Sequence, residues 1–252
     1  MAGHSAFKNI MHKKGAADKK RAALFTKIAR ELQIAAKLGG ADPSSNPRLR
    51  AAMANARAEQ MPKDNIQRAI DRGGGKDAET LEEIRYEGFG PGGVGIIVEA
   101  ATDNRNRTAG DVRAAFAKNG GALGETNSVS FGWDRIGEIR FPLKVASEDG
   151  MLEAAIEAGA DDCQAEMVEE AEEHVVTCAM NALPDVTAAL SAKFGEPKSA
   201  KIIWRPQVTI PVAGDQAQAL LKLLDILDDL DDVQHVFANF DLDAAELAKL
   251  AG

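Results

Sequence analysis

Apolar residues recur at helical spacing in the first third of the chain. Leu24, Ile28 and Leu32 return every four positions within residues 16–38, as they do along one face of an α-helix, and Gly39-Gly40 follows as a stop signal. Basic residues lie within about 80° of arc on the opposite side when successive residues are spaced about 100° apart; they are Lys19, Lys27, Arg30 and Lys37. The pattern predicts an amphipathic helix with one apolar face and one positive face.

Two shorter helices are predicted next. Asn46 is suited to cap a helix whose first position is Pro47, and Met61-Pro62 ends that helix. The third helix runs from Pro62 until the glycine run 73–75 releases the chain. The first 76 residues therefore predict a small helical domain, the head of the chain.

Beyond residue 79 the pattern changes to short runs rich in β-branched residues that alternate with helices. The middle segment predicts strands at 138–143, 163–168, 174–179 and 198–204 and helices at 151–158 and 185–194. This is the β-α-β-β-α-β order of ferredoxin-like domains. The flanking segments predict strands at 94–101, 129–133, 207–212 and 233–240 and helices at 108–119 and 216–230, which repeat that order when they are joined.

The predicted fold class is α+β with three domains, in which an N-terminal helical domain precedes two ferredoxin-like α/β domains, one inserted in the other. The predicted boundaries are 1–76 for the basic helical domain, 77–135 plus 205–252 for an α/β domain, and 136–204 for the inserted domain. A length of 252 residues agrees with two or three cores.

Composition is that of an ordinary globular protein, with 45% hydrophobic and 27% charged residues. Cys163 and Cys178 are the two cysteines, which favours a reducing compartment over a disulfide framework. No apolar run approaches the roughly 18 residues typical of a membrane span, and the basic N-terminus lacks the apolar core of a secretion signal. We therefore expect a cytoplasmic location and no membrane partner.

Charge is divided unevenly along the chain. Residues 1–76 contain 16 Lys and Arg against 6 Asp and Glu, a net of +10, whereas residues 77–252 contain 14 against 33, a net of −19. The two values add to the formal net charge of −9. A cationic segment on an acidic protein indicates a polyanionic partner for that segment, although lysines on a helix often serve solubility alone.

The candidate nucleic-acid-binding residues are the basic side chains of this N-terminal segment, at a density suited to phosphate contacts. They are Lys8, His12, Lys13, Lys14, Lys19, Lys20, Arg21, Lys27, Arg30, Lys37, Arg48, Arg50, Arg57 and Lys63. Phosphate contacts position a protein without reading base sequence. The predicted partner is nucleic acid, either ribosomal RNA or DNA, with the ribosome as a possible assembly and with no small-molecule substrate.

Other chemistry has weaker support in the sequence. The loop 88–93 satisfies Gly-x-Gly-x-x-Gly, but a strand is predicted after it instead of a helix, so a glycine-rich hairpin loop is favoured over a dinucleotide site. His174, Cys163 and Cys178 lack the usual spacing of zinc ligands, and we expect neither a metal nor a cofactor. No hydrolase, P-loop or metalloprotease motif is present, which leaves an enzyme as a distant alternative.

Two acidic tracts occur in residues 77–252, the body of the chain, at 169–173 and 225–232. They lack the glycine and ligand spacing of a calcium loop, so they predict a turn and a solvated helix face. Their expected effect is to repel nucleic acid from the body and to orient the basic segment toward it.

Several short motifs, taken together, resemble the YebC/PmpR family over essentially the whole chain. The motifs are Met1-Ala2-Gly3-His4-Ser5, His12-Lys13-Lys14, Lys37-Leu38-Gly39-Gly40, Asn46-Pro47-Arg48-Leu49-Arg50, Met61-Pro62-Lys63-Asp64-Asn65-Ile66, Tyr86-Glu87-Gly88-Phe89-Gly90-Pro91-Gly92-Gly93 and Thr102-Asp103-Asn104-Arg105-Asn106-Arg107-Thr108. The chain departs from the family pattern at Ala6 and at Phe131-Gly132-Trp133.

The resemblance implies a helical domain, two α/β domains and a non-enzymatic role in gene expression. Some members of the family are named as transcriptional regulators that bind DNA. Others, including a mitochondrial relative, look like ribosome-associated factors that assist translation elongation. The absence of an evident helix-turn-helix dimer favours structured RNA over a DNA operator, while both partners stay open at this point.

Overall fold

The computed structural model describes residues 17–75, 81–168, 171–243, 246 and 249, and the side chains of these residues except 17–20 and 168. Three α-helices come first, and they are α1 (Ala17–Gly39), α2 (Pro47–Ala58) and α3 (Lys63–Gly74). The three predicted helices are confirmed. Helix α3 continues through Gly73 and Gly74, so the glycine run lies partly inside the helix and not beyond its end.

Asn46 joins the end of α1 to the start of α2. Its Oδ1 accepts a hydrogen bond from the Leu49 N–H at 3.0 Å, which is the predicted helix cap. Its Nδ2 donates to the Ala35 and Gly40 carbonyls at 2.7 and 2.8 Å. Because Asn46 is 4% exposed and satisfies groups on both helices, it fixes the turn between them.

Gly73 lets α3 approach α1 closely. A Cβ atom at Gly73 would lie 2.1 Å from the Gln33 carbonyl oxygen, a distance that no side chain tolerates. The neighbouring Gly74 has more room, since its nearest contact would be the Ala41 Cβ at 3.2 Å. The first glycine of the run is therefore required by helix packing.

The first sheet has the strand order β3-β1-β2-β9. Its strands are β1 (Glu82–Phe89), β2 (Gly95–Thr102), β3 (Ala122–Leu123) and β9 (Val233–Ala238). Helices α4 (Arg105–Lys118) and α7 (Gly214–Asp228) pack on it, and Val98, Phe116 and Leu220 lie in the shared core. A short parallel pair, β8 (Ile210–Pro211) with β10 (Phe240–Asp241), accompanies this sheet.

The second sheet has the order β5-β6-β4-β7. Its strands are β4 (Trp133–Pro142), β5 (Asp162–Val168), β6 (Ala171–Ala179) and β7 (Ser199–Pro206), with helices α5 (Glu148–Glu157) and α6 (Leu183–Phe194) between them in sequence. Ile139, Phe141, Met151 and Leu190 form part of the core between helices and sheet. The chain and spatial orders match the predicted ferredoxin-like arrangement.

The predicted fold class is confirmed, since helices precede antiparallel sheets covered by helices. In the first α/β region one predicted strand is wrong and another is shorter than predicted. Residues 130–132 form a 3-10 turn instead of a strand, and 207–212 contributes only the two-residue strand β8. Strand β1 was not predicted, because its sequence Glu-Glu-Ile-Arg-Tyr-Glu-Gly-Phe is rich in charged residues, which are depleted in strands, and one of them, Glu87, is 1% exposed.

By its internal contacts the chain divides into two compact units. One contains residues 1–27, 79–134 and 206–252, and the other contains residues 28–78 and 135–205. The first sheet belongs to the former unit and nearly all of the second sheet to the latter. The division into three domains at 76/77, 135/136 and 204/205 stays a prediction.

Candidate nucleic-acid interface

The predicted basic residues fall into groups with different environments. Lys8, His12, Lys13 and Lys14 lie outside the described residues. The backbones of Lys19 and Lys20 belong to α1, and their side chains are outside the described part of the structure. The remaining eight are Arg21, Lys27, Arg30, Lys37, Arg48, Arg50, Arg57 and Lys63.

Lys27 has a structural contact. Its ammonium group lies 2.7 Å from both the carbonyl oxygen and the carboxylate Oδ1 of Asp228, near the end of α7. The Lys27 side chain is 16% exposed, so most of it is covered. This cation neutralises a helix C-terminus and a carboxylate, an interaction typical of fold stabilisation.

Arg48 and Arg50 also interact within the chain. The Arg48 guanidinium donates to both carboxylate oxygens of Glu31, at 2.8 and 3.0 Å, and so forms a two-pronged ion pair between α2 and α1. Arg50 donates to the Pro43 and Ser44 carbonyls of the preceding turn at 3.0 and 3.4 Å, while its side chain stays exposed. The basic residues of the family motif around Asn46 thus hold neighbouring segments together in addition to supplying positive charge.

Arg21, Arg57 and Lys63 are exposed in the described part of the head. Arg21 lies over the Phe25 ring with 5.5 Å between the guanidinium carbon and the ring centroid. Arg57 is in the last turn of α2, and Lys63 is the first residue of α3. Lys37 is exposed and Arg30 is half-buried. The structure thus leaves several predicted cations at the surface of the head.

Two exposed arginines of α3, Arg68 and Arg72, were absent from the predicted set. Their signal in the sequence was their spacing of four residues on a helix with Lys63 at its start. Arg68 donates to the Asp64 carbonyl at 3.2 Å, and Asp64 and Asp71 lie on the same helix. Helix α3 therefore presents a mixed surface instead of a purely positive one.

The two-faced description of α1 fails in its second half. Residues 32–36 are all buried, including Gln33 and Ile34. Five consecutive buried positions surround a helix completely, since successive residues are rotated by about 100°. The positive arc of α1 is consequently interrupted there, because neighbouring segments pack against it from more than one side.

In the first unit, Arg107 of the 102–108 motif is held by two carboxylates. It donates to Asp103 at 2.8 Å and to both oxygens of Asp232 at 3.1 and 2.8 Å. These bonds raise the pKa of Arg107 above its ordinary value. Thr108 donates to Asp232 at 2.7 Å. Asp232 is 6% exposed, so this end of the second acidic tract is a buried anchor and not a solvated helix face.

Helix α4, which this motif begins, is basic. It contains Arg105, Arg107, Arg113 and Lys118 against one acidic residue, Asp111. All four cations are exposed. The body is therefore not uniformly anionic, and sequence reasoning missed this helix because the total charge of 77–252 concealed it.

The glycine-rich loop connects β1 to β2, which pair antiparallel with Phe89 opposite Gly95. The hairpin interpretation of residues 88–93 is confirmed. Within the motif, the Glu87 carboxylate accepts the N–H groups of Val129 and Ser130, both at 2.9 Å. Burial raises the pKa of Glu87, but the backbone hydrogen bonds outweigh it and the net shift is downward from 4.5.

The residues considered for a metal site lie in the second sheet. Cys178 is buried, Cys163 is half-buried, and His174 is buried with its Nε2 3.1 and 3.0 Å from the Leu143 and Ala146 carbonyls. Within the described ranges no group of three His, Cys, Asp or Glu side chains is placed to hold a metal ion. No helix in those ranges has the length and apolar character needed to cross a bilayer.

The first acidic tract also differs from its prediction as a turn. Strand β6 begins at Ala171, so Glu172 and Glu173 lie in a strand. Glu173 is 2% exposed and pairs with the ammonium group of Lys198. The burial of this carboxylate beside a cation explains why part of the tract does not face solvent.

Comparison with family models and known proteins decides the family. Residues 5–76 match the TACO1/YebC protein N-terminal domain, and residues 81–240 match the TACO1/YebC second and third domain. The chain belongs to the TACO1/YebC family. The resemblance seen in the motifs is thereby confirmed.

Two relatives illustrate how closely the chain follows the family. A probable transcriptional regulatory protein of Maricaulis maris is 56% identical over 252 residues, which cover 99% of this chain and all of the relative. The crystal structure of a conserved hypothetical protein of Aquifex aeolicus is 43% identical, with a TM-score of 0.81 over 91% of this chain and 94% of that one. The fold is therefore shared with an experimentally determined structure.

Proposed function

We propose that the chain is a nucleic-acid-binding regulator of gene expression that docks through its basic N-terminal residues and catalyses no reaction. The observation that carries this proposal is the charge of +10 on residues 1–76 against −19 on the rest. The exposed cations Arg21, Arg57 and Lys63 support it, because solvent-facing cations release counterions from a phosphate backbone when they bind.

Contacts within the chain favour some of these residues over others for that role. Lys27 and Arg48 form ion pairs with Asp228 and Glu31, so we assign them mainly a structural role. Arg57 and Lys63 are the stronger candidates for phosphate contacts, and Arg68 and Arg72 extend the same helical region. Lys8, His12, Lys13 and Lys14 remain in the proposed interface on the basis of their sequence alone.

We favour structured RNA of the ribosome, and support of translation elongation, as the finer form of this function. The reason lies in the exposed polar groups of α3. Gln67 donates a hydrogen bond to the Asp71 carboxylate at 2.8 Å, and Arg68 donates one to the Asp64 carbonyl in the first turn of α3. A helix that reads bases in the major groove presents donors and acceptors to them, whereas these groups are engaged within the helix. Docking by charge and shape fits this surface better.

A DNA-binding transcriptional regulator is the second candidate. The relative from Maricaulis maris is named a probable transcriptional regulatory protein, and it matches 99% of this chain. A regulator of that kind would use the same basic residues on a promoter. The two candidates differ in which nucleic acid competes best for the protein.

The test uses the full chain and a charge-reversed pair, Arg57→Glu with Lys63→Glu. The control pair, Lys144→Glu with Lys222→Glu, makes the same change in net charge at exposed positions outside residues 1–76. Binding to a folded ribosomal RNA fragment and to promoter duplex DNA is measured at about 50 and 200 mM salt. We expect at least a tenfold loss for the first pair, a smaller salt dependence, and a change below about threefold for the control.

Point substitutions are preferable here to deletion of residues 1–76, because deletion would also remove the Lys27 contact to Asp228. Sedimentation of a cell lysate at low and high salt then separates the candidates. Comigration with ribosomes that high salt abolishes supports the RNA partner, and free migration together with selective promoter binding supports DNA. Equal losses for both pairs of variants would contradict the proposed docking residues.

A further inference from the structure

Strand β5 lies at the edge of the second sheet, where it pairs with β6 on one side. The N–H of Cys163 donates to the Asp162 carboxylate at 2.8 Å, as expected of an N–H on the outer side of β5. Because backbone groups alternate in direction along an antiparallel strand, Ala165 and Met167 turn their N–H and C=O groups the same way as Cys163. The outer edge therefore offers a row of backbone donors and acceptors.

Apolar side chains lie beside this edge. Ile156 is 63% exposed, Met167 is 57% exposed and Leu152 is 38% exposed. Leu152 and Ile156 are four residues apart on α5, so they share one face of that helix. Cys163 packs against the core beneath the helices. Because every second residue of a strand points to the same side, the side chains of Ala165 and Met167 also lie on the helix-covered face of β5. The edge and the helix together offer an exposed apolar strip.

A cleft opens between α5 and β5. It is lined by Glu148, Asp149, Leu152, Cys163, Gln164, Ala165 and His174. His174 is fully buried, and its Nε2 is occupied by two backbone carbonyls. Its Nδ1 has no hydrogen-bond partner among the described residues. Because carbonyl oxygens only accept hydrogen bonds, Nε2 carries a proton and donates to them, and Nδ1 is left as an unpaired polar atom beside the cleft.

The charge of these elements is one-sided. Helix α5 has four carboxylates and strand β5 has two, and neither contains Lys or Arg. A second copy of the same edge would bring like charges together, which disfavours pairing between two copies of this chain. Nucleic acid is disfavoured for the same reason. A cationic segment is the complementary occupant.

We propose that the edge of β5 and the neighbouring face of α5 bind a basic, extended polypeptide segment that adds as a strand to the second sheet. Side chains on one face of the added strand would contact Leu152, Ile156 and the carboxylates of Glu148, Asp149 and Glu153. Basic side chains on its other face would meet Glu166, which lies on the opposite face of β5. Main-chain hydrogen bonds supply affinity in this mode of recognition, and side-chain pockets supply specificity. This partner is distinct from the nucleic acid proposed for the head.

The test titrates the full chain with a fluorescein-labelled peptide of the repeat Lys-Lys-Val-Val, about eight residues long to match the strand, so that each face of the added strand carries both lysine and valine. A peptide of the repeat Glu-Glu-Val-Val is the negative probe. The variant Ile156→Arg adds a positive charge to the strip, and Val208→Arg makes the same change at a position that is 70% exposed in the other unit. Glu153→Lys provides a second, exposed substitution on the same helix.

We expect the lysine peptide to bind at least tenfold more weakly to the Ile156→Arg and Glu153→Lys variants, with a change below about twofold for Val208→Arg. Hydrogen exchange at the Ala165 and Met167 amides should slow at least tenfold when the peptide is present, since these amides face the free edge. Equal binding by the glutamate peptide, equal binding by all variants, or binding without protection of these two amides would overturn the proposal.

Sedimentation of the chain without peptide tests whether a second copy of the chain occupies this edge. A dimer that forms at high protein concentration and is lost in the Ile156→Arg variant would assign this edge to a second copy and also overturn the proposal. A monomer that still binds the lysine peptide supports it. Neither result bears on RNA or DNA binding by the head, so failure here and failure of the proposed function are distinguishable.

Discussion

Helices α4 and α5 occupy similar places in their units but carry opposite charges. Each follows a strand of a sheet, packs on that sheet and begins at a side-chain cap. Asn104 accepts the Arg107 N–H at 3.1 Å, and Ser147 accepts the Gly150 N–H at 3.2 Å. Helix α4 has four basic residues and one acidic residue, whereas α5 has four acidic residues and no basic one. Capping and apolar packing thus specify a helix without fixing the charge of its outer face.

The difference lies in how each helix uses its charge. On α4, Arg107 is tied to the buried Asp232 and so belongs partly to the fold. On α5, Glu148 and Asp149 line a cleft, and Glu153 faces solvent. A charged residue that pairs with a buried partner is committed to the folded chain, whereas an exposed cluster of one sign is available to a ligand. Charge counts along the sequence do not distinguish these two uses.

The largest expected effect concerns the buried end of the Arg107 network. Substitution of Asp232→Ala should lower the free energy of unfolding by about 3 kcal/mol, because it leaves the Thr108 and Thr102 hydroxyls and Arg107 without a buried acceptor. Asp103→Ala removes the exposed carboxylate on the same arginine and should cost less than about 1 kcal/mol. Urea unfolding measures both. Similar losses for the two variants would show that the burial of Asp232 is not what matters.

The shared caps predict a smaller and equal effect. Asn104→Ala and Ser147→Ala should each cost about 1 kcal/mol, because each removes the acceptor for one N–H of the first turn. Thermal or urea unfolding of the two variants supplies the comparison. A cost confined to one helix would mean that its outer charge, and not the cap, governs how that helix begins.

The smallest expected effect is that of the neighbouring carboxylates on the reactivity of the Cys163 thiol. Burial, followed by the charges of Asp162 and Glu148, raises the pKa of Cys163 from 9.0 to about 11. Since the thiolate is the reactive form, alkylation by iodoacetamide should stay slow at pH 9 and rise as the pH approaches 11. Replacing both carboxylates, by Asp162→Asn and Glu148→Gln, should speed the reaction at pH 9 about two- to fivefold, because burial still dominates.

Cys178 serves as the internal control for that measurement. It is fully buried, and burial and then Asp161 raise its pKa, so its alkylation should stay slow in both proteins. Mass spectrometry of the two cysteine-containing peptides separates the rates. An unchanged rate at Cys163 in the double variant would rule out a measurable field from α5 and β5.

Much of the fold was readable from local patterns. Asn46 before Pro47 located the start of α2, and the β-α-β-β-α-β order located the second sheet. The first sheet was harder, because β1 carries Glu87 at a buried position and 130–132 forms a turn although Val129, Phe131 and Trp133 alternate as they would in a strand. The buried carboxylate is stabilised by N–H groups about 40 positions away in sequence, a cause that no local window contains.

The sequence by itself determined the family, the helical head, the charge split and the order of most elements, because caps, apolar periods and charge totals are local or additive properties. Tertiary structure alone decided which charges remain exposed. The sequence did not distinguish Lys27 and Arg48 from Arg57 and Lys63. In the structure, Lys27 and Arg48 form long-range ion pairs, whereas Arg57 and Lys63 are exposed to solvent. The same holds for Asp232 and Glu153, since burial depends on which distant segment packs against a residue.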